Sequence, residues 1–143
     1  METSEKSAIF VLMGEHKQIK QVESKIIVLR DTQVILDRDI AELYGVETRD
    51  INKAVKNNPD KFPQGYIITL EKEEKKELVE NFHRFNPLKH STVLPKAFTE
   101  KGLYMLATII KSTLATEATI AIIETFTKLR QLARAMQQAN DEI

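Results

Sequence analysis

Four short runs rich in β-branched and aromatic residues stand out in the pattern of apolar and polar positions, and each predicts a strand. They are Ile26–Leu29, Thr32–Leu36, Tyr66–Leu70 and Val93–Phe98. Arg30 and Asp31 separate the first two runs, which predicts a β-hairpin with a two-residue turn. Pro95 in the fourth run favours an edge strand or a bulge, because proline donates no hydrogen bond to a neighbouring strand.

Five stretches predict helices from their apolar periodicity or their end signals. They run from Asp37 to Tyr44, from Thr48 to about Asn58, from Glu71 to about Phe82, from the capping residue Thr99 to about Lys111, and from Leu114 to about Ala139. The last helix is apolar around much of its circumference, so we expect it to be buried on more than one side. Segment 84–92 lacks apolar periodicity and is predicted to be a loop.

The order of these elements predicts an α+β fold in three parts. Residues 1–18 show little periodicity and are expected to be a flexible or loosely docked extension. Residues 19–113 are predicted to form the α+β domain, and 114–143 a long C-terminal helix.

The amino-acid composition excludes several kinds of site and argues against some classes of protein. The chain has no cysteine, which excludes disulfides and thiolate metal sites. No apolar run approaches the roughly 18 residues that a transmembrane helix needs, so we expect no membrane partner and a cytoplasmic location. Basic and acidic side chains number 21 each, which argues against a strongly basic coat protein for nucleic acid. The segment 83–101 departs from this balance, with four basic residues and one acidic residue.

The segment that follows the hairpin has the features that a helix-turn-helix requires. Ala41 is small enough to lie where two helices cross, and Gly45 follows four residues later, where the chain must take a left-handed conformation. The apolar residues at the spacing needed to hold the two helices together are Ile40, Tyr44, Val46, Ile51 and Ala54. All seven positions agree, and they predict a helix-turn-helix at about residues 37–58.

The outward face of its second helix carries Thr48, Arg49, Asn52, Lys53 and Lys56. These side chains suit a recognition helix in the major groove of double-stranded DNA. Arg49 can form two hydrogen bonds with guanine, and Asn52 can do so with adenine. Lys53 and Lys56 suit phosphates, which position a protein without reading the sequence.

The alternative hypothesis is a helical hairpin that does not bind DNA and whose polar face contacts only water. Glu47 and Asp50 favour that alternative, because both carboxylates repel phosphate. Their place at the start of the second helix offers another explanation, since acidic side chains interact favourably with that end of a helix.

Three blocks of the sequence resemble a known family. They are Val34–Arg49, then Phe62-Pro63 with Tyr66, and then Leu94–Gly102. From about Ile26 to Arg134 the chain resembles the phage antirepressor-type amino-terminal domain called ORF-six-N, a relative of the KilA-N superfamily. The resemblance implies a DNA-binding domain of phage and prophage transcriptional regulators or antirepressors. The chain departs from the family pattern where Phe85–Ser91 replaces a glycine-rich basic loop.

The loop from Arg84 to Lys96 is a candidate wing beside the recognition helix. Lys89, His90 and Lys96 would be its contacts with the DNA backbone or the minor groove. The alternative is a charged loop that is merely solvated.

The sequence lacks the residue patterns that catalytic sites and metal sites require. His16, His83 and His90 lack the spacing of a metal site. Asp37 and Asp39 suit the positive end of a helix better than a catalytic pair. The sequence has no nucleophile elbow, phosphate-binding loop or dinucleotide-binding turn, so we expect no enzyme activity and no cofactor.

A second copy of the chain and a repressor or other regulator are candidate partners besides DNA. The broad apolar surface of the long helix fits pairing with a second copy, and a two-fold dimer would place two recognition helices on a palindromic site. The alternative for that helix is packing on its own domain. The rival function is a protein-interaction module that binds a repressor or another regulator without reading DNA, which the neutral overall charge suits.

Overall fold

A computed structural model of the chain describes residues 18–142 and has the predicted α+β fold. The elements in chain order are helix α1 (18–25), strands β1 (Ile27–Leu29) and β2 (Thr32–Leu36), helices α2 (Asp37–Tyr44) and α3 (Thr48–Asn57), a 3₁₀ helix (Pro59–Lys61), strand β3 (Ile67–Thr69), helix α4 (Lys72–Asn81), a second 3₁₀ helix (His83–His90), strand β4 (Lys96–Thr99), and helices α5 (Glu100–Ala107) and α6 (Thr113–Asp141). The predicted extension, 1–18, lies outside the described residues except for Gln18.

The four strands form one antiparallel sheet in the order β1-β2-β4-β3. Arg30 and Asp31 have φ angles of 52° and 62°, the left-handed conformation that a type I′ turn needs, so the predicted hairpin is confirmed. The edge position expected for β4 is wrong, because this strand pairs with a neighbour on each side. Pro95 lies just before the strand, where its carbonyl accepts the Leu70 N–H at 3.0 Å.

Two apolar cores lie on opposite faces of the sheet. Ile35 and Phe98 belong to the larger core, which contains the buried side chains of α2, α3, α5 and α6. Val34 and Leu36, on the other face of the same strand as Ile35, pack in a second core that also includes Leu78 of α4. Strand β2 is therefore buried on both faces, and the fold has helices on either side of the sheet.

The segment 84–92, predicted to be a loop, instead contains most of the second 3₁₀ helix. Phe85 and Leu88 of this helix and Phe82 just before it are three positions apart, which is one turn of a 3₁₀ helix. Phe85 is fully buried in the second core and contacts the edge of Phe82 with ring centroids 5.7 Å apart. Burial of this one ring holds the segment against the domain.

Helix α6 is divided between a packed half and an exposed half. Ala118, Ile122 and Phe126 are buried in the larger core, whereas every residue from 131 to 142 is exposed. The expected burial on more than one side is wrong for a single chain, because Ile120 and Ile123 are 54% and 40% exposed.

Candidate nucleic-acid interface

The turn between α2 and α3 has the geometry that the sequence predicts. Gly45 ends α2 with φ 68° and ψ 33°, in the left-handed region that favours glycine. The Gly45 N–H donates to the Glu42 carbonyl at 3.3 Å, and the Val46 N–H donates to the Ala41 carbonyl at 3.0 Å. These bonds satisfy the last carbonyls of α2 and direct the chain into α3.

The residues predicted to hold the two helices together do so. Ile40, Ala41, Tyr44, Ile51 and Ala54 are all buried in the larger core, and Val46 packs against it half-buried. The Tyr44 hydroxyl also lies 3.2 Å from Thr119 Oγ1 on α6, and burial raises the pKa of this phenol. The motif is thus anchored to the long helix behind it.

The opposite face of α3 is open to solvent. Arg49, Lys53 and Lys56 are exposed, and the side chain of Arg49 is 83% exposed. The Arg49 Nε lies 2.5 Å from Glu47 Oε2, an exposed pair that contributes little to stability. Three basic side chains and one acidic side chain, Asp50, lie on this helix, so its outward face is basic.

Asp50 has a structural role at the start of α3. Its Oδ2 accepts a hydrogen bond from the Glu47 backbone N–H at 3.0 Å. A side chain at this position that reaches back to the residue before the helix stabilises the first turn. The acidic residues near the recognition face are therefore explained by helix capping.

Asn52 has a different environment from its basic neighbours. It is half-buried, and its Nδ2 donates to Asp37 Oδ2 at 3.1 Å. The same Asp37 oxygen lies 3.4 Å from the Lys96 backbone N, and Asp37 Oδ1 accepts the Arg38 N–H at 2.8 Å. Asp37, which is only 5% exposed, therefore joins α2, α3 and β4. The reading of adenine by Asn52 stays a prediction.

A cleft of about 430 Å³ borders this polar junction. Thr48 and Asn52 of α3 lie along one side, and Arg84 and Leu88 of the second 3₁₀ helix lie along another. The segment 91–95, apart from Thr92, also lines the cleft, and five residues of α1 and α2 complete the lining: Lys25, Asp37, Arg38, Asp39 and Glu42. The cleft therefore runs from the recognition helix to the segment predicted to be a wing.

Arg84 connects that segment to the start of the domain. Its Nη1 donates to the Ser24 carbonyl at 2.9 Å, and its guanidinium lies 4.3 Å from the centre of the Phe85 ring. Its Nη2 lies 3.5 Å from Asp39 Oδ2, and Lys25 Nζ lies 4.0 Å from the other oxygen of the same carboxylate. Burial raises the pKa of Asp39, and the nearby Arg84 and Lys25 charges oppose that shift. Sequence analysis did not identify this ion cluster, because its members are far apart along the chain.

The predicted wing contacts have different surroundings in the structure. Lys89 and His90 are exposed near the end of the second 3₁₀ helix, and Lys96 is half-buried in β4. Lys89 lines a second cleft beside α4, whereas His90 and Lys96 line neither that cleft nor the one beside Asn52. The role of these three residues in DNA binding stays a prediction.

Residues 18–142 hold no group of three or more His, Cys, Asp or Glu side chains arranged to bind a metal ion. No helix in the described part of the chain combines the length and the apolar character needed to cross a membrane.

Comparison with known proteins places the chain in a family. No curated protein and no solved structure matches it. A family model, the ORF6N domain, matches residues 24–109, a span that contains the whole sheet and helices α2 to α5. This match confirms the resemblance carried by the three sequence blocks and covers more than half of the residues. The chain belongs to the ORF6N domain family, a phage-type family of regulatory domains.

Proposed function

We propose that this chain binds double-stranded DNA through α3 and acts as a phage-type transcriptional regulator or antirepressor. The proposal rests on one observation, that α3 has a buried apolar face and an exposed basic face. Ile51 and Ala54 are buried against the domain, while Arg49, Lys53 and Lys56 project into solvent after a helix-turn-helix bend. A helix held in this way can enter the major groove with its basic side chains forward.

Each exposed side chain has a distinct role in the proposal. Arg49, near the start of the helix, donates two hydrogen bonds to the guanine edge. Lys53 and Lys56 contact phosphates and set the position of the helix on the duplex. Thr48 and Asn52 lie beside the cleft, where Thr48 donates to a base or a phosphate and Asn52 keeps α3 in register with α2.

Fluorescence anisotropy against duplexes of random and host-derived sequence, at two salt concentrations, tests the proposal. We expect binding that weakens with salt, since bound cations leave the DNA when lysines contact phosphates. Arg49→Ala should lower the affinity for a preferred duplex by about 1–3 kcal/mol, and Lys53→Ala should reduce the slope of log K against log salt by about 0.9. Arg134→Ala, which removes an exposed arginine from the far half of α6, is the control.

The absence of binding to any duplex at low salt would overturn the proposal. It would favour the rival function, a module that binds a repressor or another regulator through protein contacts.

Helix α6 supports a second part of the proposal, a homodimer. Leu132 and Met136 are four positions apart on one face of the helix and are 51% and 68% exposed, and a contiguous exposed apolar patch is typical of interfaces. A two-fold dimer through α6 would present two copies of α3 to successive major grooves of a palindromic site. Light scattering should give twice the chain mass of 16.4 kDa, and Leu132→Glu with Met136→Glu should restore the monomer mass. A wild-type monomer at high concentration would exclude this part.

A further inference from the structure

Helix α4 separates its charges onto different faces. Lys72, Lys75 and Lys76 are three or four positions apart, so they lie on one face of the helix. Glu73 and Glu77 are likewise four apart and lie on another. The lysine face is not explained by the apolar core, because Leu78 is the buried residue of this helix.

This separation has a cost in helix stability. Lys72 and Lys76 are a like-charged pair at the i, i+4 spacing, and so are Glu73 and Glu77. Such pairs destabilise an exposed helix by about 0.2–0.5 kcal/mol each, whereas alternating charges would stabilise it. Lys76 also lies three positions from Glu73 and four from Glu80, and these opposite charges offset part of the cost. The lysine face therefore adds little to the stability of the helix, and its charge is available to a partner.

The lysine face lines a cleft of about 660 Å³ between α4 and the second 3₁₀ helix. Lys89 adds a fourth ammonium group from the 3₁₀ helix, and Glu80 is the single acidic residue of the lining. Val79 and Leu94 supply apolar surface in the same cleft. Lys72, Lys76 and Lys89 are exposed, while Lys75 donates to the Ser91 carbonyl and so holds the segment that follows the 3₁₀ helix.

These lysines carry unneutralised positive charge. Among residues 18–142, none of the four has a carboxylate within 4.0 Å, although seven other ion pairs form there. Glu74, on the same helix, pairs instead with Arg30 at 2.7 Å on the side away from the cleft. The acidic side of α4 is thus partly neutralised within the fold, and the basic side is left for an anionic partner.

The basic cleft lies next to the cleft that contains residues of α3. Ser91 and Leu94 line both this cleft and the cleft that contains Thr48 and Asn52. The two clefts therefore lie on either side of one short segment. A duplex that is bound at α3 and extends past Thr48 and Asn52 across residues 91–94 would meet the lysine face next.

We propose that Lys72, Lys76 and Lys89 form a second contact with the phosphodiester backbone of the same duplex that α3 enters. This inference rests on the proposed DNA binding and adds a backbone clamp beside the recognition helix. The contact positions the duplex without reading its sequence, because ammonium groups meet phosphates and not base edges. Lys75 is a positioning residue, since it acts through the Ser91 carbonyl.

The test uses the full chain and one double variant, Lys72→Ala with Lys76→Ala. The variant should fold at least as well as the wild type, because it removes a repulsive pair and alanine favours helices; circular dichroism checks this. The matched control is Lys111→Ala with Arg134→Ala, which removes two exposed charges from outside both clefts. Lys72→Arg with Lys76→Arg retains the charge and should bind like the wild type.

Anisotropy titrations across several salt concentrations supply the measurement. Loss of two phosphate contacts should reduce the slope of log K against log salt by about 1.8 and weaken binding about tenfold or more near 0.1 M salt. The loss should be equal for preferred and random duplexes, unlike the loss in Arg49→Ala. Wild-type slope and affinity in the double alanine variant would overturn the clamp and leave recognition by α3 standing. A wild-type chain that binds no duplex at low salt would overturn both.

Discussion

Replacement of Asp37 by alanine should loosen the attachment of the recognition helix to the domain. This carboxylate is 5% exposed and accepts hydrogen bonds from three backbone or side-chain donors. The donors belong to Arg38 in α2, Asn52 in α3 and Lys96 in β4. In the alanine variant all three lose a charged acceptor, and the Asn52 amide is left half-buried with no carboxylate to bind.

The expected loss follows from the lengths of these bonds. Hydrogen bonds to a charged group contribute about 1.5–3 kcal/mol each, but the Lys96 bond of 3.4 Å is long and the Arg38 bond joins adjacent residues of one helix. The Asn52 bond of 3.1 Å is therefore the main contribution. We expect Asp37→Ala to lower the free energy of unfolding by about 2–4 kcal/mol. Asp37→Asn should cost less, because its side-chain oxygen can take the place of Asp37 Oδ2 and keep the Asn52 bond, while its amide group faces only the Arg38 N–H.

Urea denaturation followed by circular dichroism measures this loss, provided that the m-value stays constant. A double-mutant cycle with Asn52→Ala isolates the pair, for which we expect a coupling on the order of 1–2 kcal/mol. Asp60→Ala removes an exposed aspartate of the first 3₁₀ helix and should change stability by less than about 0.5 kcal/mol. Additive single effects in the cycle, or a loss in Asp37→Ala no larger than that of the control, would refute the reasoning.

Two other stability changes follow from buried groups. Gly102→Ala should destabilise the fold by at least about 2 kcal/mol, because the added Cβ would lie 2.2 Å from the Tyr66 carbonyl oxygen. Urea denaturation measures this loss, and a denaturation midpoint equal to that of the wild type would contradict the close packing of α5 on that carbonyl. Tyr44→Phe should cost about 1 kcal/mol at pH 8, through loss of the hydroxyl contact with Thr119. Since burial raises the pKa of Tyr44, the folded state resists losing this proton, and wild-type stability should fall as the pH rises through the ordinary value of about 10. The difference between the two proteins should therefore shrink between pH 9 and 11, and a constant difference would show that Tyr44 titrates alike in both states.

Local chemistry allowed the hairpin and the helix-turn-helix to be predicted from the sequence. Arg30-Asp31 lies between two β-rich runs, and a two-residue turn is decided by residues that are adjacent in the chain. Gly45 follows Ala41 by one helical turn, and the apolar positions around them repeat at the helical period. Predictions of this kind succeed because the interactions involved span only a few residues.

Local sequence signals did not predict the central position of β4 in the sheet or the second 3₁₀ helix. Pro95 suggested an edge strand, yet β4 begins one residue later and is central in the sheet. The spacing of Phe82, Phe85 and Leu88 by three was the available signal for the 3₁₀ helix, and it does not match the helical or strand periods. Whether such a weak pattern forms a helix depends on the core that receives Phe85, which other parts of the chain supply.

The candidate interface also has features that the sequence predicts and features that only the tertiary structure decides. The outward position of Arg49, Lys53 and Lys56 follows from the apolar pattern of α3, so the sequence by itself determined the basic face. The bond between Asn52 and Asp37, and the meeting of the α4 lysines with the segment beside α3, depended on the tertiary structure. These groups are 15 or more residues apart, and their contacts form only after the sheet and its two cores have brought distant segments together.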